Sequence, residues 1–220
     1  MKKISYFLLL LFLLSCAPAR FVVPLNKGEH AAGLNIGGHL FDYQGLTIPA
    51  PLSSVYYGYG FDSGSTFFAG LHLTSLAFGN FQTDMGFVIN LLNQKQWLPG
   101  LSVSPAVNFV LNPKWGDVRM WPQLDANVYW QYGKQHHYFY LGVSNWFELT
   151  KLRAHSQEID DRWFINPQIG HVFRIKTYDI GLELKFLAPS HENTYAFVPY
   201  RSITGDYGAN GLYFYITKRF

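Results

Sequence analysis

The chain has 220 residues, of which 14% are charged and 18% aromatic, with a formal net charge of +3 and one cysteine. A disordered chain would be rich in charge and poor in aromatic residues, so the composition excludes that class. One cysteine excludes a scaffold of intramolecular disulfides. The small positive balance argues against nucleic-acid binding, and the low charge content fits poorly with a cytosolic enzyme.

The chain begins with the features of a secretory signal. Lys2 and Lys3 precede an apolar run over residues 4–14. A basic start followed by a short apolar run is typical of a signal peptide. The run is shorter than the roughly 20 residues that cross a bilayer as a helix. We therefore predict that residues 1–15 are a cleaved signal peptide.

Cys16 directly follows Leu13, Leu14 and Ser15. An aliphatic residue at −3 and a small residue at −1 resemble the lipobox of bacterial lipoproteins, although Leu14 is a less favoured residue at −2. The resemblance implies that Cys16 becomes an acylated N-terminus and that residues 16–31 form a lipidated tether. Residues 17–19 also resemble the A-x-A site of the ordinary signal peptidase, and cleavage there would remove Cys16.

The rest of the chain alternates apolar and polar residues at the period of a β-strand. In 178–187, the clearest case, one face is apolar and the other carries acidic, basic or glycine residues. Strands of this kind match the roughly 9–11 residues that cross an outer membrane. The predicted strands are 32–42, 52–61, 66–78, 83–91, 101–111, 123–132, 138–147, 162–173, 178–187 and 209–220.

The connections between these strands are long on one side and short on the other, as in outer-membrane barrels. The outer loops are 43–51, 79–80, 112–117, 149–161 and 188–208, and the inner turns are 62–65, 93–100, 133–136 and 174–177. Within them, Gly79-Asn80 predicts a tight two-residue hairpin. The sequence thus predicts an all-β fold, a single antiparallel up-and-down transmembrane β-barrel of about ten strands over residues 32–220.

The last strand ends on an aromatic residue. One of its faces carries Leu212, Phe214, Ile216 and Phe220. This face resembles the C-terminal signal that the outer-membrane insertion machinery recognises, with Lys218 as a departure. Together with the signal peptide and the strands, it makes the chain similar to small outer-membrane β-barrel lipoproteins of Gram-negative bacteria. The resemblance implies contact with outer-membrane lipid and, during biogenesis, with the insertion machinery.

Alternation alone leaves open which face is wet, since a lipocalin-like barrel is apolar inside. The polar faces carry Gly, Ser, Asn and Tyr rather than many Lys or Glu, and aromatic residues cluster near the strand ends. Both features favour an apolar exterior. Charged residues then point inward, where they must pair. The predicted ion-pair network of the lumen comprises Asp84, Asp125, Asp179, Glu183, Lys185 and Arg219.

The sequence has no phosphate-binding loop and no HExxH, CxxC or GxSxG motif. His155 and Ser156 lie near acidic residues in one polar loop, the residue types of a hydrolase or a weak cation site. We predict no catalytic residue, cofactor or metal. Exposed aromatics on a long loop can bind a ligand or a partner, and they can equally fold over the mouth of the barrel. The candidate partner loop carries Tyr195, Phe197, Tyr200 and Tyr207.

The predicted function is that of a non-enzymatic structural or accessory subunit that binds partner proteins of an outer-membrane complex. A barrel enzyme acting on lipid or surface protein, a narrow channel and a lipocalin-like lipoprotein remain alternatives.

Overall fold

The computed structural model describes residues 17–114, 116–134, 136–149, 161–193 and 200–220. Neighbouring strands pair antiparallel, and the last strand pairs with the first from Ala31↔Arg219 to His39↔Gly211, which closes a ten-stranded barrel. The short β2 pairs with the end of β1 beside this ring. The strands are β1 His30–Tyr43, β2 Leu46–Pro49, β3 Ser53–Gly60, β4 Ser65–His72, β5 Phe81–Leu92, β6 Gly100–Asn112, β7 Asp117–Tyr132, β8 His137–Phe147, β9 Trp163–Ile175, β10 Tyr178–Glu192 and β11 Tyr207–Arg219.

The barrel is apolar outside and polar inside. On β5, Met85, Phe87 and Ile89 are 44%, 43% and 39% exposed, whereas Gln82 and Asp84 are buried. This confirms the predicted all-β barrel. It is the reverse of a lipocalin-like barrel, whose interior is apolar.

The predicted strand over 66–78 is wrong in its second half. β4 ends at His72, and a helix, α1, covers Leu73–Ala77. Thr74 Oγ1 accepts the Ser53 N–H at 2.8 Å and donates to the Pro51 carbonyl at 3.1 Å, so its hydroxyl ties the helix to the start of β3. Gly79, predicted to form a hairpin turn, instead follows the helix with a φ of +81°. Side-chain bonds to the backbone, like those of Thr74, compete with the hydrogen bonds of a strand and favour turns and helix ends.

The two ends of the barrel differ. We call the end with the connections 61–64, 93–99, 133–136 and 176–177 the turn end, and the opposite end, with 148–162 and 193–206, the loop end. At the turn end, Asp62 accepts the Gly64 N–H at 2.7 Å, and this bond helps to lower the pKa of its carboxyl. None of the helices in the described ranges is long and apolar enough to cross a membrane.

Candidate functional site

The lumen contains a segment of the chain's own N-terminal region. Ala19, Arg20, Phe21, Val22 and Leu25 are all buried. We call residues 17–25 the lumen segment. The resemblance to lipoproteins implies a tether over residues 16–31, whereas the structure places residues 17–25 inside the barrel. After the lumen segment the chain reaches the turn end, where the Gly28 N–H donates to the Gly60 carbonyl at 2.8 Å.

Arg20 joins the lumen segment to the barrel wall. Its Nε lies 3.1 and 3.2 Å from the two carboxylate oxygens of Asp84, and Nη2 donates to the same carboxylate. Nη1 donates to Asn35 and Ser54, both at 2.7 Å. His72 Nε2 lies 3.1 Å from Asp84 Oδ2. The side chains of Arg20 and Asp84 are only 3% and 7% exposed, so the two form a buried ion pair. The hydrogen bonds of this pair are largely satisfied.

A second buried pair holds the beginning of the segment. The Ala19 N–H donates to Glu183 Oε2 at 3.0 Å, and Lys185 Nζ donates to the Ala17 carbonyl at 3.0 Å. Lys185 Nζ lies 3.4 Å from Glu183 Oε1, and both side chains are fully buried. Tyr140 donates its hydroxyl to Glu183 at 2.7 Å. The backbone of the segment thus bonds with both charges of the pair.

Small residues of the wall make room for the segment. A Cβ built on Gly60 would lie 2.0 Å from the Asn26 carbonyl oxygen, and one on Gly58 would lie 2.6 Å from the Phe21 ring. Ser102 donates to the Val22 carbonyl at 2.7 Å, and Leu25 donates its N–H to Thr66 at 2.8 Å. The wall therefore fits this segment in shape as well as in hydrogen bonding.

Little space remains beside the beginning of the segment. A cavity of about 20 Å³ is lined by Ala17, Arg20, Asp84, Asp125 and their neighbours. That volume holds about one water molecule. The space around residues 17–20 is consequently filled rather than open.

Tyrosines on the wall lie against glycines of the adjacent strands. Tyr140 is paired with Gly170, on which a Cβ would lie 2.2 Å from the tyrosine ring. Tyr215 and Gly181 show the same arrangement, at 2.0 Å. Each ring occupies the space that a side chain would need on its neighbour. The tyrosine rings of these pairs therefore cover the inner face of the barrel wall beside the glycines.

The six predicted lumen residues are separated into groups. Asp84 bonds with Arg20, and Glu183 lies with Lys185. Asp125 is buried and accepts a bond from Gln123 at 2.9 Å. Asp179 and Arg219 approach to 3.2 Å at the turn end.

Sequence reasoning did not predict Arg20, His72, Arg174 or Glu29 as partners of these charges. The strand pattern identifies inward charges, but it has no signal for a partner that lies outside the strands, as Arg20 does. A basic residue a few positions after the predicted signal peptide is the one available hint.

The turn end opens into a polar cavity of about 430 Å³, which we call the vestibule. Its lining includes Ser63 from a turn, Gln131 and Arg174 from the wall, and Val23 to Leu25 from the lumen segment. Arg174 Nε lies 3.5 Å from Asp179 Oδ2, and its guanidinium lies 5.1 Å from the centre of the Tyr138 ring. Arg219 donates to Glu29 at 3.3 Å and to the Lys176 carbonyl at 2.8 Å.

Aromatic residues pack together at the loop end. Trp146, Leu187 and Tyr213 form a buried cluster against which Trp121, Phe164 and Tyr200 pack. Of the candidate partner loop, Tyr200 packs against His39 at 4.7 Å between ring centres, and Tyr207 is 43% exposed. Tyr195 and Phe197 lie outside the described residues, as do Cys16, His155 and Ser156.

The predicted insertion signal lies on the outer face of β11. Phe214, Ile216 and Phe220 are exposed and Leu212 is partly exposed, whereas the intervening Tyr213 and Tyr215 are buried. Phe220 is held at the barrel seam, since its N–H donates to the His30 carbonyl at 2.8 Å. In the described part of the chain, no three His, Cys, Asp or Glu side chains are grouped to hold a metal ion.

No protein-family model and no curated protein matches the chain. Among solved structures, it is similar to the translocator domain of the autotransporter NalP from Neisseria meningitidis, with 6% identity over 89% of this chain and 90% of that one and a TM-score of 0.49. Ail, the attachment invasion locus protein of Yersinia pestis, has 9% identity over 88% and 99% of the two chains and a TM-score of 0.30. The outer membrane protein OprG from Pseudomonas aeruginosa has 10% identity over 91% and 99% and a TM-score of 0.31.

At such identities the likeness concerns the fold. The closed antiparallel ring, the apolar exterior and the polar interior define a β-barrel of the outer-membrane type.

Proposed function

We propose that this chain is a non-enzymatic outer-membrane β-barrel lipoprotein that serves as a structural or accessory subunit for partner proteins. The observation that carries the proposal is the filled lumen. Arg20, buried against Asp84, and the backbone of residues 17–19, bonded to Glu183 and Lys185, occupy the space that a conduit would need. A barrel closed by its own chain offers its ends and its lipid-facing surface for function.

The filled lumen argues against a channel. Conduction requires a continuous water-filled path, and ten-stranded barrels have little more interior than the eight-stranded barrels that side chains alone can fill. Here a chain segment is added to the inward side chains. We therefore expect the folded protein to conduct little or no steady current.

The proposed anchor is a lipid on Cys16. The bonds of Ala17 and Ala19 to Lys185 and Glu183 support a mature chain that keeps residues 17–19. Cleavage before Cys16 retains those residues, whereas cleavage after Ala19 removes them. Acylation also sets a steric demand: three acyl chains do not fit beside Ala17 in the packed lumen. An acylated Cys16 therefore requires its lipid to reach the membrane outside the barrel.

Capture from membranes tests the accessory role. The full chain, extracted in gentle detergent after crosslinking, is expected to bring down one protein in near-stoichiometric amount. Tyr207→Ala is expected to reduce that yield if the predicted partner loop is used. Tyr178→Ala is the matched control, since Tyr178 is 42% exposed and lies at the opposite end. Recovery of the chain alone, from membranes that contain it at native level, would contradict the proposal.

A further inference from the structure

The vestibule has a guanidinium group whose hydrogen bonds are unused. Among the described residues, neither Nη atom of Arg174 has a hydrogen-bond partner, although the side chain is only 13% exposed. Asp179 approaches its Nε at 3.5 Å, which is longer than a hydrogen bond. The Tyr138 ring supports the guanidinium at 5.1 Å. The group is therefore fixed in direction while its terminal donors face the cavity.

The neighbouring groups suit a peptide. Ser63 and the Gln131 side-chain amide line the same cavity and form no side-chain hydrogen bond within the described chain. Neutral hydroxyl and amide groups pair with peptide N–H and C=O groups. A volume of about 430 Å³ falls in the range of small-ligand pockets, so it accommodates a short chain end rather than a folded domain.

The charges around the vestibule favour a ligand that carries a single negative charge. The exposed lysines at this end outnumber its exposed acid, Asp62. They are Lys27, Lys95, Lys134, Lys176 and Lys218. Arg174 and Arg219, which line the cavity, already lie next to the carboxylates of Asp179 and Glu29. One carboxylate, bound by the two Nη groups of Arg174, fits this balance better than a doubly charged phosphate.

We infer that the vestibule binds the carboxylate of an acidic peptide segment, with Arg174 as the residue that holds it. Short turns of outer-membrane barrels face the periplasm, so the peptide belongs to a periplasmic protein. Only this last step, the source of the peptide, rests on the proposed function. The binding site itself is independent of it.

Titration of the folded full chain in detergent micelles tests the site. The probe is a fluorescently labelled short acidic peptide with a free C-terminal carboxylate. We expect saturable binding that Arg174→Gln weakens by about tenfold or more, as loss of a charge-assisted pair does. Arg162→Gln removes an exposed arginine from the loop end and is expected to leave binding unchanged.

A second variant tests the site independently of any effect of Arg174→Gln on folding. Ser63→Trp alters an exposed turn residue and fills the cavity without touching its charges, and it is expected to block the peptide as well. A control version of the peptide, in which the C-terminus is amidated and no aspartate remains, is expected to bind at least about tenfold more weakly. Equal binding by Arg174→Gln and Arg162→Gln, equal binding of the amidated peptide, or full competition by millimolar inorganic phosphate would overturn the inference.

The two proposals fail in different ways. If membrane capture yields a partner equally with the unaltered chain and with Arg174→Gln, the accessory role stands and the vestibule is not its binding site. If the peptide binds as expected but no partner is captured, the site stands and the accessory role fails.

Discussion

Arg20 is the residue on which the seating of the lumen segment depends most. It contributes hydrogen bonds to three wall residues and neutralises Asp84 in a buried site. Removing one member of a buried ion pair leaves the other charge without compensation, which costs about 3–5 kcal/mol. The pair also explains why Asp84 is tolerated among lumen side chains.

Arg20→Met is therefore expected to destabilise the seated segment by about 3–5 kcal/mol. Hydrogen exchange at the Ala19 and Leu25 amides measures this, because both donate to wall side chains. Their exchange should accelerate, and adding Asp84→Asn should restore part of the protection. Arg162→Met, at an exposed position, is the control. Unchanged protection in Arg20→Met would show that the ion pair does not hold the segment.

The tyrosine–glycine pairs predict a second effect at single residues. Gly170→Ala would place a methyl group 2.2 Å from the Tyr140 ring, which Glu183 also holds in place. Overpacking of this kind costs about 1–3 kcal/mol. Urea unfolding of the barrel should shift accordingly. For comparison, Gly64→Ala has 3.6 Å to its nearest neighbour and should unfold like the unaltered chain; equal midpoints for both variants would refute the argument.

At the scale of elements, the strands follow from their alternation, and the helix does not. On β5, Met85, Phe87 and Ile89 are exposed on the outer face, and on β11 Phe214 and Ile216 are, so period-2 alternation locates both strands well. The same alternation predicts a strand that continues through Thr74 and Ser75. In the structure the Thr74 hydroxyl hydrogen-bonds with Ser53 and Pro51, and the Ser75 hydroxyl donates to Gln82, so the strand gives way to a helix. The pattern records hydrophobicity and cannot record such bonds.

The lumen segment lies beyond sequence reasoning for a related reason. Arg20 and Asp84 are far apart in the chain, and barrel closure brings them together. Inward charges on strands were predictable because a strand has two faces. A partner delivered by a segment without regular structure has no periodicity to reveal it. The wall glycines Gly58 and Gly60, which make room for that segment, become informative only once its course is known.

The last strand carries a prediction about assembly. Phe220 closes the seam against His30 and stands with Phe214 on the outer face. Deleting Phe220 is expected to lower the amount of folded barrel in the outer membrane severalfold. Heat-modifiable migration on gels measures the folded fraction. Phe61→Ala, which removes an exposed phenylalanine at the turn end, should leave that fraction unchanged, and equal yields from both variants would count against an insertion signal.

At the scale of the whole molecule, the barrel encloses residues 17–25 of its own chain, and the proposed lipid on Cys16 would directly precede them. Labelled palmitate is expected to enter the unaltered protein and not Cys16→Ala. The mass of the mature chain should include residues 17–19, whose backbone meets Lys185 and Glu183. A mature chain that begins at Arg20 would contradict both the lipid anchor and those bonds.

The central claim is that the chain's own residues close the lumen, and planar-bilayer recording tests it most directly. The purified barrel is compared with a variant whose residues 17–25 are replaced by glycine and serine, after both are shown to be folded. We expect little steady current from the unaltered protein and a stable open conductance from the variant. Steady conductance of equal size from both proteins would contradict it.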